Sequence, residues 1–599
     1  MNQPWSFRDG TRCRGGATGL LFLVTLGLGS CAPQVQPPVQ YLIGVSQANL
    51  AEPWRISMTE EIKQQAALHP ELRLIVAEAS DSLGKQIGDV EKFEGLGIDL
   101  LIISPLESEA LTPTVSRLYQ SIPVVVVNRS VANDDYTLFI GPDNSRIGQE
   151  AGRFVSRTLA VTGGEVLEIL GRSGSPPTLE RAQGFRHEVA QNPLIRVQSP
   201  ILANWLRDGA QDLVAERLTA GALAGERPPQ VIFAHNDAMA YGAWLAADGL
   251  KMAKKITFLG VDGLDGPRGG RDLLASGILD ATFLSPTGGK EAVEYALALL
   301  RHQGEQPKNI ILGTKLLTRE DLSASPAPAA NPSRLRKVGL LWSSLGGGWN
   351  QRLEASATRA LGTAGWTTVT VTGPELPPDL DLLVVDAADR DGTDRARREA
   401  GEAAARTRHL PFFRLGPQPA QGDDSGWAVA LGPDPFEEGR RAGWWLGRNG
   451  APRVWEVTGP GSGTAELSRG LTEGLADRGS FLAGTTATDG TRDGTARALA
   501  EAWKGRPAFE GVLAHSDEEA LGAVAALEAM GRHPGTEVRV VAVGGGPEAR
   551  AALAGGTLSC VVRNPDDLGG LVRSEAAQYL DSPGVSRRLV TNHDAVAGH

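Results

Sequence analysis

One segment of this chain occurs twice. Val231-Ile-Phe-Ala-His-Asn-Asp-Ala-Met-Ala-Tyr-Gly242 returns as Val512-Leu-Ala-His-Ser-Asp-Glu-Glu-Ala-Leu-Gly522. Each copy reads as a buried strand, a polar turn and a helix that starts in small residues. Other landmarks repeat in the same order. Gly44 and Trp54 have the spacing of Gly339 and Trp349, and Gly141-Pro-Asp143 with Gly152 has that of Gly432-Pro-Asp434 with Gly443. Ordered landmarks at matched internal spacing imply two copies of one architecture. The 599 residues are also too many for a single hydrophobic core.

Within each copy, short apolar runs alternate with helical patterns. In the first copy the runs include Leu42–Val45, Leu100–Ile103, Val124–Val127, Val166–Leu170, Val231–Ala234, Ile256–Gly260 and Ala281–Leu284. Strands apolar on both faces, separated by helices, predict α/β architecture with doubly wound parallel sheets. The length of each copy suits two lobes, so the expectation is two tandem units, each of two lobes joined by a hinge. Ser323–Ser333 (SASPAPAANPS) is a Pro/Ala/Ser linker. The expected organisation is a signal segment over 1–31, a tether over 32–40, a first unit over 41–320, a linker over 321–335 and a second unit over 336–595.

The N-terminus reads as a targeting segment. Arg12 and Arg14 precede an apolar run from Ala17 to Gly29, which is shorter than the roughly 20 residues a membrane span needs. The run ends Leu28-Gly29-Ser30-Cys31, which resembles a bacterial lipobox with Cys31 as the lipidated residue. The alternatives are an ordinary signal peptide with an incidental Cys, giving a soluble periplasmic protein, or an uncleaved anchor. The expectation is a cell-envelope protein, lipid-anchored on the periplasmic side of a membrane.

Composition excludes several classes. The formal charge is −11, and loss of Arg8, Asp9, Arg12 and Arg14 leaves about −13, so phosphate backbones repel the chain and nucleic acid is not an expected partner. Of Cys13, Cys31 and Cys560, only Cys560 remains for the folded part, in the apolar run Leu558–Val562. One thiol builds neither a disulfide framework nor a metal cluster, so no metal and no cofactor are expected. Gly-x-Ser-x-Gly, His-Glu-x-x-His and a Cys/His pair are all absent, and the chain reads as a non-enzyme. Gly171–Pro177 (GRSGSPP) lacks phosphate-loop spacing and reads as a turn rather than a phosphate cradle.

The ordered motifs of residues 41–320 resemble the type I periplasmic sugar-binding proteins, the family of ribose, galactose and galactofuranose binders. The motifs are Ser46-Gln47 with Pro53-Trp54-Arg55, Gly97–Pro105, Ile122–Arg129, Gly141-Pro-Asp-Asn144 with Gly148, Glu180-Arg181 with Gly184-Phe185, Phe233–Asp237 and Gly260-Val-Asp-Gly263. Residues 336–595 match more loosely. Trp54-Arg55 is closer to galactofuranose-type members and to sugar-sensor domains of hybrid histidine kinases than to the ribose type. The resemblance implies a monosaccharide held between lobes by Trp54, Arg55, Asn128, Arg129, Arg181, Trp205, Asn236 and Asp262. It also implies hinge closure, with an ABC transporter permease or a membrane sensor as partner.

The chemistry suits a sugar on its own terms. A sugar ring presents an apolar face and a rim of hydroxyls. Trp54 and Trp205 offer platforms, Arg55, Arg129 and Arg181 offer forked donors, and Asp262, Asn236 and Asn128 offer acceptors. His235 reads as a packed strand-end residue. The family usually has Asp where Asn128 stands, which puts an identical sugar preference in question.

The second copy keeps the framework and loses the chemistry. Arg55 corresponds to Asn350, Asn128-Arg129 to Gly416-Pro417, Arg181 to Leu467, Asn236 to Ser516 and Asp262 to Gly545, while Trp54 corresponds to Trp349. The expectation is a second unit that binds no sugar. Two other readings remain at this stage: a structural or signalling lipoprotein recognising a non-sugar small molecule, and, less favoured, a carbohydrate-active enzyme with paired carboxylates.

Overall fold

The computed structural model describes residues 40–597, apart from 305, 324–335, 343–347, 388–391, 420–425, 461–462, 506–507, 565–567, 582–585 and 592–594. Cys31, the signal segment, residues 32–39 of the tether and most of the linker lie outside the described residues, as do the side chains of Trp349 and Asn350.

The first unit begins with β1 (Tyr41–Gln47), β2 (Leu72–Glu78), β3 (Leu100–Ser104), β4 (Val124–Val127) and β5 (Leu138–Pro142) in an N-terminal lobe. The chain crosses to a second lobe with β6 (Gly164–Leu170), β7 (Ile195–Val197), β8 (Ile201–Leu202), β9 (Val231–Ala234), β10 (Thr257–Asp262) and β11 (Ala281–Leu284). It returns for β12 (Asn309–Leu312) and crosses again for β13 (Lys315–Leu317). Three crossovers, at Pro142–Asn144, Leu284–Gly289 and Leu312–Lys315, therefore form the hinge.

The second unit runs through the same plan. Its N-terminal lobe holds β14 (Lys337–Leu341), β15 (Thr367–Thr370), β16 (Leu382–Asp386), β17 (Phe412–Leu415) and β18 (Val429–Gly432). Its other lobe holds β19 (Arg453–Thr458), β20 (Phe481–Ala487), β21 (Gly511–Ala514), β22 (Arg539–Gly544) and β23 (Cys560–Arg563). Then β24 (Arg587–Val590) returns and β25 (Ala595–Ala597) crosses back. Spatial orders are β2-β1-β3-β4-β5-β12 against β15-β14-β16-β17-β18-β24, and β7-β6-β9-β10-β11-β13 against β20-β19-β21-β22-β23-β25. This is the doubly wound order that places ligands at the carboxyl ends of the strands near its reversal point. β3, β4, β9 and β21 are buried along their whole length, as expected for strands covered by helices on both faces.

The two N-terminal lobes form one twelve-stranded sheet. It is joined where β12 and β24 pair antiparallel, Asn309 opposite Val590 and Leu312 opposite Arg587. Each is the last strand of its lobe, and the first residue of one faces the last of the other. That is the self-complementary pairing of a two-fold interface, made here inside one chain. Behind it, Ala292, Val293 and Ala296 of the helix Gly289–Leu300 share a core with Leu571, Val572, Ala576 and Leu580 of the helix Gly569–Asp581. Tyr295 donates to Glu575, and Gln578 Nε2 donates to Glu294 Oε2 at 2.6 Å. Cys560 is fully buried in β23, and burial pushes its thiol up to about 12.

Candidate ligand site between the lobes

The N-terminal lobe contributes a buried pair of guanidiniums held by one carboxylate. Arg55 lies in the first turn of the helix Pro53–Ala67, and its Nη1 donates to Ser104 Oγ at 3.0 Å, at the carboxyl end of β3. Arg129 follows the end of β4 and donates through Nη1 to the Leu106 carbonyl at 3.2 Å. Glu52, one residue before that helix, stands 3.2 Å from Arg55 Nε and 4.0 Å from Arg129 Nη2. Burial pushes the Glu52 carboxyl up, but the two guanidiniums and Asn49 outweigh it and hold it below its usual range. Burial lowers Arg129 to about 9, with Arg55 adding repulsion. Arg55 Nη2 and Arg129 Nε are buried with no hydrogen-bond partner among the described residues.

The other lobe contributes Arg181, Trp205, Asn236 and Asp262. Arg181 comes from the helix Pro176–Val189, which lies against the helix Asn144–Thr158 so closely that a Cβ on Gly148 would sit 2.1 Å from the Arg181 carbonyl. Its Nε donates to Asn144 Oδ1 at 2.9 Å, its Nη1 donates to the His235 carbonyl, and its Cζ lies 5.8 Å from the Trp205 ring centre. Desolvation lowers the Arg181 pKa, opposed by Asp262, Glu180 and Asp237. The Trp205 ring occupies the space above Gly171, where any Cβ would meet it at 2.1 Å. Its indole Nε1 has no partner among the described residues. Asn236 caps the helix Asp237–Gly249 through Oδ1 and gives an Nδ2 proton to the Trp205 carbonyl at 3.0 Å, which leaves its second amide proton.

Asp262 ends β10, buried, and its carboxylate accepts no hydrogen bond from any described residue. Desolvation raises its pKa, and the neighbouring Asp237 raises it further against the pull of Arg181. Asp237 itself is a framework residue. Its two oxygens accept from Gly263 N at 2.8 Å and Thr282 Oγ1 at 2.6 Å. His235 is fully buried with Nε2 3.1 Å from Glu168 Oε1, so it packs the strand end, its ring centre 6.5 Å from that of Trp205.

Two placements differ from the sequence expectation. Trp54 is buried among N-lobe core residues, and its indole Nε1 donates to the Ser285 carbonyl at 2.9 Å, across the crossover at Leu284–Gly289. It therefore anchors the hinge. Asp262 corresponds to Gly544, not Gly545. Asp237 accepts from Gly263 N as Asp517 accepts from Gly545 N, which fixes the register one residue earlier. The run of three glycines Gly544–Gly546 hid that shift from the sequence. The second unit keeps Leu467, Ser516 and Gly544 where the first has Arg181, Asn236 and Asp262, and Gly490 where it has Trp205. Glu519 fills the space next to Gly459 that the Trp205 ring fills next to Gly171.

Two features escaped the sequence reading. Glu52 looked like an acidic residue ahead of a helix, a common complement to the helix dipole. Arg172, in the GRSGSPP turn, bridges the cleft mouth to Asp81 of the N-terminal lobe at 2.8 Å. Asp81 also accepts from Asn49 Nδ2 at 2.9 Å, so the latch connects to Glu52 through Asn49. The site is thus a closed cleft with guanidiniums from both lobes, an indole ring and a free carboxylate, all desolvated. Such a set grips a neutral polyol through many directed hydrogen bonds.

The periplasmic binding protein domain model matches residues 43–306. The ribose import binding protein of Bacillus subtilis is 32% identical over 238 residues, which cover 40% of this chain and 72% of that protein. The fructose import binding protein of Bifidobacterium longum is 31% identical over 189 residues, 30% of this chain and 55% of that protein. Among solved structures, the fructose-binding periplasmic domain of a hybrid two-component system is 34% identical, with a TM-score of 0.44 over 47% of this chain and 91% of that domain.

Proposed function

The chain belongs to the type I periplasmic sugar-binding protein family, and from that premise we propose that residues 41–320 bind a monosaccharide by closing two lobes around it, without acting on it chemically. The observation that carries this reading is the set of buried, unpartnered donors, Arg55 Nη2, Arg129 Nε and Trp205 Nε1, together with the free Asp262 carboxylate. Buried polar groups find partners, and a ring of hydroxyls supplies donors and acceptors at once. Asn128, Arg181 and Asn236 complete the set, and Trp54 lines the N-lobe side while holding the hinge. The relatives named for ribose and fructose import support delivery of sugar to an ABC transporter. Residues 336–595 are assigned as a unit of the same descent that has given up sugar.

Envelope placement rests on the segment Leu28–Cys31, with Cys31 as the proposed lipid attachment site. No helix among the described residues is long and apolar enough to cross a membrane.

The test is a thermal-shift screen of residues 32–599 against D-ribose, D-fructose, L-arabinose and D-galactose. A true ligand at a hundred times its Kd stabilises by about 2.7 kcal/mol. The reading fails if none of these sugars, nor any other pentose or hexose, moves the transition. Arg129→Ala should abolish the shift that the wild type shows.

A further inference from the structure

The second unit reaches the first unit's site through one side chain. Arg588 lies on β24, and its Nη2 donates to Asp143 Oδ2. Asp143 caps the helix Asn144–Thr158, its Oδ1 accepting from Arg146 N at 3.0 Å. The next residue, Asn144, is buried and accepts from Arg181 Nε at 2.9 Å. Arg588, Asp143, Asn144 and Arg181 therefore form one unbroken chain from the second unit's N-terminal lobe to a guanidinium of the first unit's cleft.

Position 588 shows that this arginine is not a demand of the fold. Its counterpart on β12 is Asn309, which pairs with Phe139 as Arg588 pairs with Ala430, and which carries no charge and accepts from the Tyr136 hydroxyl inside its own unit. The Arg588 side chain has Asp143 as its hydrogen-bond partner among the described residues, and its charge also acts on Asp434, the cap residue of its own unit. The surrounding contacts point the same way. Gly313, in the hinge crossover, donates to the Ser586 carbonyl at 2.7 Å, and a Cβ there would lie 2.5 Å from that oxygen. Asp134, in the first unit's N-terminal lobe, stands 3.2 Å from Arg440 Nη2 and 3.4 Å from Arg441 Nη2, on a helix of the second unit's other lobe. Each outer lobe is tied by charge to the opposite unit's N-terminal lobe, and only the Arg588 tie runs on into a binding cleft.

We infer that Arg588 is a positioning residue for ligand capture by the first unit, and that the second unit acts as a brace setting the angle of the helices that carry Asn144 and Arg181. This rests on Arg181 facing the ligand, as proposed above. A positively charged donor on the cap residue holds the first turn of the Asn144–Thr158 helix where Asn144 aims Arg181 into the cleft. Without it the cap keeps its backbone partner but loses its fixed direction.

The experiment uses the mature full-length chain with Arg588→Ala, Arg588→Lys, Asp143→Ala and Asp134→Ala. Titration calorimetry is run with D-ribose and D-fructose, and hydrogen exchange is followed on the sugar-free protein. Arg588→Ala should weaken binding of whichever sugar the wild type takes by about threefold to tenfold, and Arg588→Lys should recover most of it. Adding Arg588→Ala to Asp143→Ala should cost nothing more. Asp134→Ala, which cuts the reciprocal tie, should leave affinity within about twofold of wild type. Without sugar, amides 144–150 should exchange faster in Arg588→Ala, and in Asp143→Ala, which also loses the cap, but not in Asp134→Ala. An unchanged affinity, an equal loss in Asp134→Ala, or unchanged exchange at 144–150 overturns the inference. If the wild type takes neither sugar, the sugar reading is in trouble on its own account, and the exchange result alone decides the brace.

Discussion

Asn128, Trp205 and Asp262 hold positive φ angles of 67°, 71° and 128°. Their equivalents in the second unit are Gly416, Gly490 and Gly544, also at positive φ. A side chain in this region costs roughly 1–3 kcal/mol, and Asn tolerates it best. The first unit therefore carries strain at ligand-facing positions that the second has relieved with glycine. Asn128 stands where the family favours Asp, and its backbone gives a reason for the amide besides ligand preference. Asp262 adds an electrostatic cost. Its folded pKa is raised, so its stabilising share is fully present below the unfolded value near ~3.9 and is lost as pH rises through the folded value. Asp262→Asn should therefore stabilise the sugar-free protein by about 1–2 kcal/mol near pH 8. The gain should shrink as pH falls toward 5 and should come with lost sugar affinity. Melting curves across that range, with and without sugar, check both halves. At this scale the sequence showed the arginines, Trp205, Asn236 and Asp262, because each stands at a strand end or in a turn. It could not show Glu52 between two guanidiniums or the Trp54 indole turned to the hinge, since both depend on where separate segments meet.

Among elements, the close helix pairs position the site more than any single strand does. Gly148 would place a Cβ 2.1 Å from the Arg181 carbonyl, and Gly439 would place one 2.0 Å from the Leu467 carbonyl. Gly148→Ala and Gly439→Ala should each destabilise by about 1–3 kcal/mol. Only Gly148→Ala should also weaken sugar binding, because only that pair carries a binding arginine. Calorimetric titration of the two variants separates packing from function. The latch between Arg172 and Asp81 is partly exposed, with side chains 30% and 38% accessible. Its contribution to stability should be about 0–1 kcal/mol. Arg172→Ala should chiefly speed sugar release, as stopped-flow measurement of dissociation would show. The strands were legible as apolar runs, and the repeat made their order legible twice. The latch was not, because GRSGSPP has the composition of any turn and its partner lies 91 positions upstream.

At the scale of the whole molecule, the unit that folds is larger than the unit that binds. One core contains Ile43, Leu100 and Ile310 of the first unit with Val338, Phe413 and Leu589 of the second. Sugar bound at the first cleft should therefore stabilise the second unit's N-terminal lobe by mass action. Hydrogen exchange at β16 and β17, which touch no sugar in this reading, should slow when sugar is added. Exchange in β19 and β21, whose lobe has its own core, should change less. This junction was not legible in the sequence. β12 and β24 are four-residue strands, and nothing local in Asn309–Leu312 or Arg587–Val590 says that they pair with each other.

That pairing also sets an order of events in time. β12 is complete about halfway along the 599 residues, yet the strand that covers its edge, β24, comes some 275 residues later. Until β24 arrives, the first unit has every strand of its own sheets but offers an open hydrogen-bonding edge beside an apolar helix face. Such edges recruit strands from other chains. A chain halted before residue 587 would carry every cleft residue, lack the Arg588 that positions Arg181, and leave this strand edge uncovered. The late segment Arg587–Val590 thus closes the sheet against strangers and, through Arg588, reaches the cap of the helix beneath the cleft.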